Sequence, residues 1–190
     1  YAMEYGLFTM PSHPPERKLF DGHQWDLQQL RWADELGFSE AWIGEHHTAP
    51  WEPHPSPDLI LAQAFLQTKN IRLGPGGFLL PYHHPAELAN RVAMLDHLSE
   101  GRLNFGVAAS GLPSDWAMFN VDGFSGENRE MTRESLEIIL RLWTEDAPFV
   151  KWLLIGVALA FVVLFLLLPL PFSGLFVLLV IGALTRGDGE

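Results

Sequence analysis

Glu45, His46 and His47 stand in a row directly after Glu40-Ala41-Trp42-Ile43-Gly44, a run that reads as a buried strand. One carboxylate and two imidazoles at a strand's end can take up, hold and pass on a proton near neutral pH, where histidine alone titrates unperturbed. The pattern recurs one strand later, where Ile71 to Leu80 runs into Pro81-Tyr82-His83-His84-Pro85. In parallel α/β architectures the loops after strand C-termini build the site, so both clusters belong at one mouth. The bland alternative is that His46 and His47 only bond loop backbone. Five histidines (His46, His47, His54, His83 and His84) could converge on a metal ion. Metal hydrolases of barrel type use a His-x-His after the first strand, and that loop here offers only His13 and His23. No metal site is therefore expected.

The elements that must position these residues alternate regularly. Glu4–Met10 reads as a first strand ended by Pro11, and Trp25–Leu36 has apolar residues near helical period up to Gly37. Ser39–Gly44 is a second strand. Pro57–Thr68 is a second helix with Ser56 as N-cap and Pro57 as its first residue. Ile71–Leu80 is a third strand, interrupted by Gly74-Pro75-Gly76-Gly77. Pro85–Leu98 is a third helix burying Leu88, Val92, Leu95 and Leu98, with His97 packed inside it. Leu103–Ala108 is a fourth strand, and Asn128–Trp143 a fourth helix burying Leu136, Ile139, Leu140 and Trp143. Such alternation implies parallel pairing. The expected fold class is α/β, the first half of a (β/α)8 TIM barrel with four βα units. A flavodoxin-like sheet is the alternative, although its Gly-rich phosphate loop after the first strand is missing.

Charge divides the chain. Of 12 basic and 23 acidic residues, only Lys151, Arg186, Asp188 and Glu190 lie beyond Val150, so residues 1–150 carry the whole formal charge of −11. That excess argues against a nucleic-acid partner and suits a cytoplasmic domain. With no cysteine, neither disulfide nor thiol chemistry is on offer. The opening is short, acidic and strand-like, unlike a signal peptide. Met3 reads as the natural start, with Tyr1-Ala2 ahead of it.

Glu45-His46-His47, Gly74-Pro75-Gly76-Gly77-Phe78-Leu79-Leu80-Pro81 and Leu95-Asp96-His97-Leu98-Ser99-Glu100-Gly101-Arg102-Leu103-Asn104-Phe105-Gly106-Val107 together resemble the bacterial luciferase-like flavin monooxygenases, over about residues 3–150. The resemblance implies a TIM barrel that uses reduced FMN (F420 in some branches) and O2 to oxidise a small organic substrate, with a separate flavin reductase. It implies His46 as a proton-transfer group beside the flavin, with Glu45 orienting His46 and His47. It places a non-proline cis peptide at Gly76-Gly77 beneath the ring, where glycine lets a flat group approach the backbone; a β-bulge is the structural alternative. His84 is the better match for a histidine that relatives keep before the proline, as pocket wall or helix cap. Arg129 matches an arginine on the FMN phosphate, or else is a solvated charge. A second family arginine falls on Ala109, leaving Ser110 and Gly111 to offer a hydroxyl and an N–H.

Beyond Val150 the character changes. Leu153 to Leu184 contains no charged residue, and Leu153–Leu170 approaches the length that crosses a bilayer, with Lys151 and Trp152 as interfacial anchors. Lys151 through Pro169 is similar to the first transmembrane helix of sulfate-type ABC transporter permeases. Leu175–Leu184 is too short to span alone. The expectation is a hybrid: residues 1–150 a partial barrel, residues 151–190 a transmembrane-like α-helical segment, with membrane association through 153–184 and the N-terminal part on the cytoplasmic side. A half-barrel leaves open sheet edges, so a homodimer is expected as one cover. The alternative reading is a catalytically inactive, membrane-anchored interaction unit.

Overall fold

Parallel strands cannot be joined by a tight turn, so each pair requires a crossover, and in the computed structural model each crossover is helical. The structure describes residues 3–52 and 54–146. In chain order the elements are β1 (Gly6–Thr9), α1 (Leu19–Glu35), β2 (Glu40–Ile43), α2 (Pro57–Phe65), β3 (Arg72–Pro75), β4 (Phe78–Leu79), a 3-10 turn (Leu80–Tyr82), α3 (Pro85–Leu98), β5 (Val107–Ala108), α4 (Pro113–Phe119) and α5 (Glu127–Thr144). β1 pairs with β2 in parallel from Gly6↔Glu40 to Thr9↔Ile43, and β2 with β3 from Glu40↔Arg72 to Ile43↔Pro75. β3 and β4 are one chain path interrupted at Gly76-Gly77. Leu73 bridges to Leu103, and β4 pairs with β5 through Phe78↔Val107 and Leu79↔Ala108.

The helices cover one face of this row. Leu27, Leu30 and Ala33 of α1, Ile60, Leu61 and Ala64 of α2, and Leu88, Ala89 and Val92 of α3 join Ala41, Ile43, Leu73, Leu103 and Ile139 of α5 in one buried core. The other face is bare among the described residues. Phe8 is 58% exposed and Trp42 half-buried, and a Cβ on Gly76 would stand 2.7 Å from the Phe8 ring and 3.1 Å from Trp42 Cβ, so Gly76 shares their side. Helices on one face are what a barrel wall requires. A doubly wound, flavodoxin-like sheet needs them on both.

The N-terminal ends of the strands are tied by long polar side chains. Asp34 at the end of α1 accepts hydrogen bonds from the backbone N–H of Lys69, Asn70 and Ile71 at 2.7, 2.9 and 2.8 Å. Burial would raise its carboxyl, but these three bonds and the Arg102 charge hold it below the usual carboxylate range. Arg102 donates to the carbonyls of Phe65 (2.9 Å) and Ser99 (3.1 Å) and to Thr68 Oγ1 (3.0 Å), and lies over the Phe65 ring. Arg72 donates to Asn104 Oδ1 and to the carbonyls of Gly101 and Leu103.

Several expectations are corrected. α1 begins at Leu19, six residues before the apolar period is visible, because its first turn faces outward with Leu19 and Phe20 exposed. The fourth strand is ladder-paired only at Val107–Ala108. α4 falls where no helix was expected, being too short to show a period. Leu98 and Leu140 are 54% and 46% exposed, Ala89 is buried instead, and His97 is exposed. Trp143, 38% exposed, packs edge-on against Phe105 and donates from Nε1 to the Ala89 carbonyl. Ser56 is the N-cap of α2 as expected, but its hydroxyl makes no capping bond. The transmembrane-like segment at Leu153–Leu170 and the run at Leu175–Leu184 lie outside the described residues. Among the described residues no helix is long and apolar enough to cross a membrane.

Candidate active site

β2 carries Ile43 into the core and delivers Glu45 just past its C-terminal end, where the side chain is fully buried. A buried carboxylate needs donors, and Glu45 has three. His47 Nε2 lies 2.8 Å from Oε1, His83 Nε2 lies 2.9 Å from Oε1 and 3.1 Å from Oε2, and the Leu79 N–H donates to Oε2 at 3.1 Å. Burial pulls its carboxyl upward, yet the bonds from His47, His83 and Leu79 outweigh burial and hold it below the usual range. It is an ionised anchor at neutral pH. His83 is fixed from its other side as well. The Arg91 guanidinium, which can only donate, stands 3.2 Å from His83 Nδ1 and pairs with Asp58 at 2.7 Å. In this pose His83 offers its Nδ1 lone pair to Arg91 and its Nε2–H to Glu45.

His46 has different partners. Its Nε2 is 3.3 Å from Glu52 Oε2, while its Nδ1, 3.5 Å from Asp115 Oδ2, is buried without a hydrogen bond. Asp115, on the first turn of α4, is fully buried. It accepts from the Thr48 N–H at 2.8 Å and from the Thr48 hydroxyl at 2.5 Å, with a longer bond from the His47 N–H. Burial raises its carboxyl, and the bonds from Thr48 and His47, with the His46 ring close by, more than reverse that. The His46 side chain is 21% exposed, against 11% for His47 and His83. His46 is therefore the most accessible of the three imidazoles.

An aromatic wall completes this end. His47 packs edge-on against Tyr82 and Phe119, whose rings stack with centroids 4.2 Å apart. Burial pushes the Tyr82 hydroxyl above the usual phenol range. It faces Ser110, which pulls the other way, while Asp115 and Glu45 add to the rise. The peptide bond Gly76-Gly77 is cis and Ser110 has a φ of 62°. Asn128 is 3% exposed and donates from Nδ2 to the carbonyls of Ala109 and Ser110 at 3.0 and 3.1 Å, while its Oδ1 is buried without a partner.

The structure thus brings Glu45, His47 and His83 onto one carboxylate, and His46 onto a second. Glu45 orients His47 but not His46. His83, not His84, reaches inward; His84 is the exposed N-cap of α3 and its ring makes no capping bond. Gly76, Gly77, Ala109 and Ser110 lie at the strand ends of β3 to β5. Arg129 is exposed at the start of α5, one residue from buried Asn128. The sequence reading missed Asp115, Glu52, Arg91, Asp58 and Asn128. Asp58, Asp115 and Asn128 left a signal, as polar residues in the first turns of helices.

The sequence profile of the luciferase-like monooxygenases matches residues 3–152. Over 153 residues the chain is 41% identical to 4-hydroxyprotoasukamycin monooxygenase of Streptomyces nodosus subsp. asukaensis, covering 78% of this chain and 40% of that protein. It is 38% identical over 149 residues to 2,5-diketocamphane 1,2-monooxygenase 1 of Pseudomonas putida, again covering 78% and 40%. The solved oxygenating constituent of 3,6-diketocamphane monooxygenase from Pseudomonas putida, a type II Baeyer–Villiger enzyme in complex with FMN, superposes with a TM-score of 0.72 at 35% identity, over 76% of this chain and 41% of that one. The chain spans about two fifths of the length of these relatives, and its α/β fold is of their TIM-barrel type. None of these matches supports the permease-like reading of Lys151 to Pro169.

Proposed function

Because this chain belongs to the luciferase-like monooxygenase family, we propose that it is a flavin-dependent monooxygenase that uses reduced FMN and O2 to oxidise a small organic substrate. The observation that carries this reading is accessible His46, with Glu52 Oε2 3.3 Å from its Nε2 and buried Asp115 3.5 Å from its Nδ1, at the strand C-termini. The residues fit the cofactor. A flat ring suits the face where Gly76 lacks a Cβ beside Phe8 and Trp42. The partnerless Asn128 Oδ1 and the half-buried Ala109-Ser110 turn offer polar groups beside it. Arg129 would add the cation that a phosphate needs.

Reduced FMN, when bound, supplies the electrons that activate O2. His46 holds or moves a proton at its ring nitrogens, with Asp115 and Glu52 steadying the ring. Glu45 keeps His47 and His83 in place, and the Tyr82–Phe119 stack screens that pair from water. A separate reductase delivers the reduced flavin; the relative described as an oxygenating constituent supports such a division. Pairing of two copies across the bare strand face belongs to the same proposal, and sedimentation tests it.

Anaerobic titration with reduced FMN, followed by quenching of tryptophan fluorescence, tests the reading. Saturable binding is expected. Absence of binding to the folded chain at high micromolar flavin would end the claim for this polypeptide. A second reading, an inactive membrane-anchored unit, is favoured by the charge-free stretch Leu153 to Leu184. A chain cut after Val150 that no longer needs detergent, where the full chain does, supports that anchor.

A further inference from the structure

Away from the site above, His13 in the loop after β1, Asp26 of α1 and His54 in the loop before α2 meet with their side chains all buried. Asp26 Oδ2 lies 2.9 Å from His13 Nε2 and 3.0 Å from His54 Nε2. The three donor atoms lie within 4.8 Å of one another. We propose that His13, Asp26 and His54 form a binding site for a divalent transition-metal ion of the zinc type, clamping the first two strand–helix loops together. Zinc bonds to imidazole nitrogen and carboxylate oxygen are about 2.0–2.2 Å, which in a tetrahedron spaces donors by roughly 3.3 Å. The observed nitrogen–oxygen separations need only small adjustments to reach that spacing. Two neutral imidazoles and one carboxylate are a donor set that zinc and iron(II) both accept.

Two further features point the same way. Gly22 sits inside α1, where glycine is a poor helix former, and a Cβ there would stand 2.9 Å from the His13 ring atoms. The helix thus gives up a side chain where His13 needs to lie. Three protein ligands leave a fourth position for water. Access exists, because His54 forms part of the wall of a cavity of about 460 Å³, together with His23, whose ring stacks on His54. His13 and His54 were weighed in the sequence, but the want of a His-x-His argued against a metal and nothing there singled out Asp26.

The full chain, stripped with chelator, is titrated with Zn²⁺ against a chromophoric competitor. One equivalent is expected to bind, raising the melting temperature, with affinity falling as pH drops because the ligands must be deprotonated. Asp26→Asn and His54→Gln should each weaken binding by about 100-fold or more, whereas His97→Gln, at an exposed helix position, should not change it. Failure of the parent chain to bind one equivalent, or equal affinity in folded Asp26→Asn, overturns the proposal. Should both variants fail to fold, histidine ring NMR of the parent decides. Zinc that shifts the His13 and His54 rings supports the site, and zinc that shifts only exposed rings such as His84 and His97 refutes it.

Discussion

The two ends of the strand row use similar residue types in opposite ways. At the N-terminal ends, Asp34, Arg72 and Arg102 bond mainly to backbone: three successive amides for Asp34, and carbonyls on several segments for the arginines. At the C-terminal ends, Glu45 and Asp115 bond to imidazoles and a hydroxyl as well as to backbone. Backbone partners are permanent and cannot titrate, so the first end is a fastening. Imidazole partners exchange protons and leave one ring accessible, so the second end can do chemistry. The resemblance motif around Ser99-Glu100-Gly101-Arg102 belongs to the fastening end.

Changes at either end should separate stability from activity. The largest stability effect is expected for Arg102→Ala, which strands the Phe65 and Ser99 carbonyls and Thr68. Chemical denaturation should show a loss of about 3 kcal/mol, with reduced-FMN affinity of the still-folded fraction unchanged. Asp34→Ala removes the acceptor for three amides and should cost about 2 kcal/mol in the same measurement. Either variant altering flavin affinity tenfold would blur the division. At the opposite end His46→Ala should leave stability within about 0.5 kcal/mol and lower turnover by about 100-fold or more in the reconstituted reaction. A variant as active as the parent would remove His46 from the mechanism.

Acid should act on both ends. Glu45, Asp115 and Asp34 all have folded carboxyl values below the usual range. Their stabilisation is therefore complete above the ordinary carboxylate range and is lost as pH falls through it toward the lower folded values. Urea midpoints measured downward from neutral pH should decline there, and in Asp34→Asn the decline should be shallower. The smallest effect is expected for His84→Ala, an exposed cap without a side-chain bond. Stability and flavin affinity should both stay within error, and a marked loss of flavin affinity would return His84 to the site.

The alternation of strands and helices was legible because each unit writes its own period. Pro57 and Pro85 each mark the first residue of a helix that the structure confirms. Glu45-His46-His47 was legible because polar residues directly after an apolar strand have no core role. The partners were not, because Glu45 meets His83 and His46 comes near Asp115 only after one and two crossovers, respectively, have set the rotation of each element. Choosing between His83 and His84 depends on the phase of one 3-10 turn, which two identical neighbours cannot report. Asp115 was hidden in a helix of under two turns, and α1's first turn was hidden by outward-facing residues.

The three amides that bind Asp34 have one further consequence, for how freely this chain can drift in sequence. Lys69 and Asn70 are exposed and contribute only main-chain N–H groups to that joint. Every amino acid except proline carries the same group. Substitution at these two positions should be almost unrestricted, while the one aspartate thirty-odd positions earlier is the side chain that all three amides require.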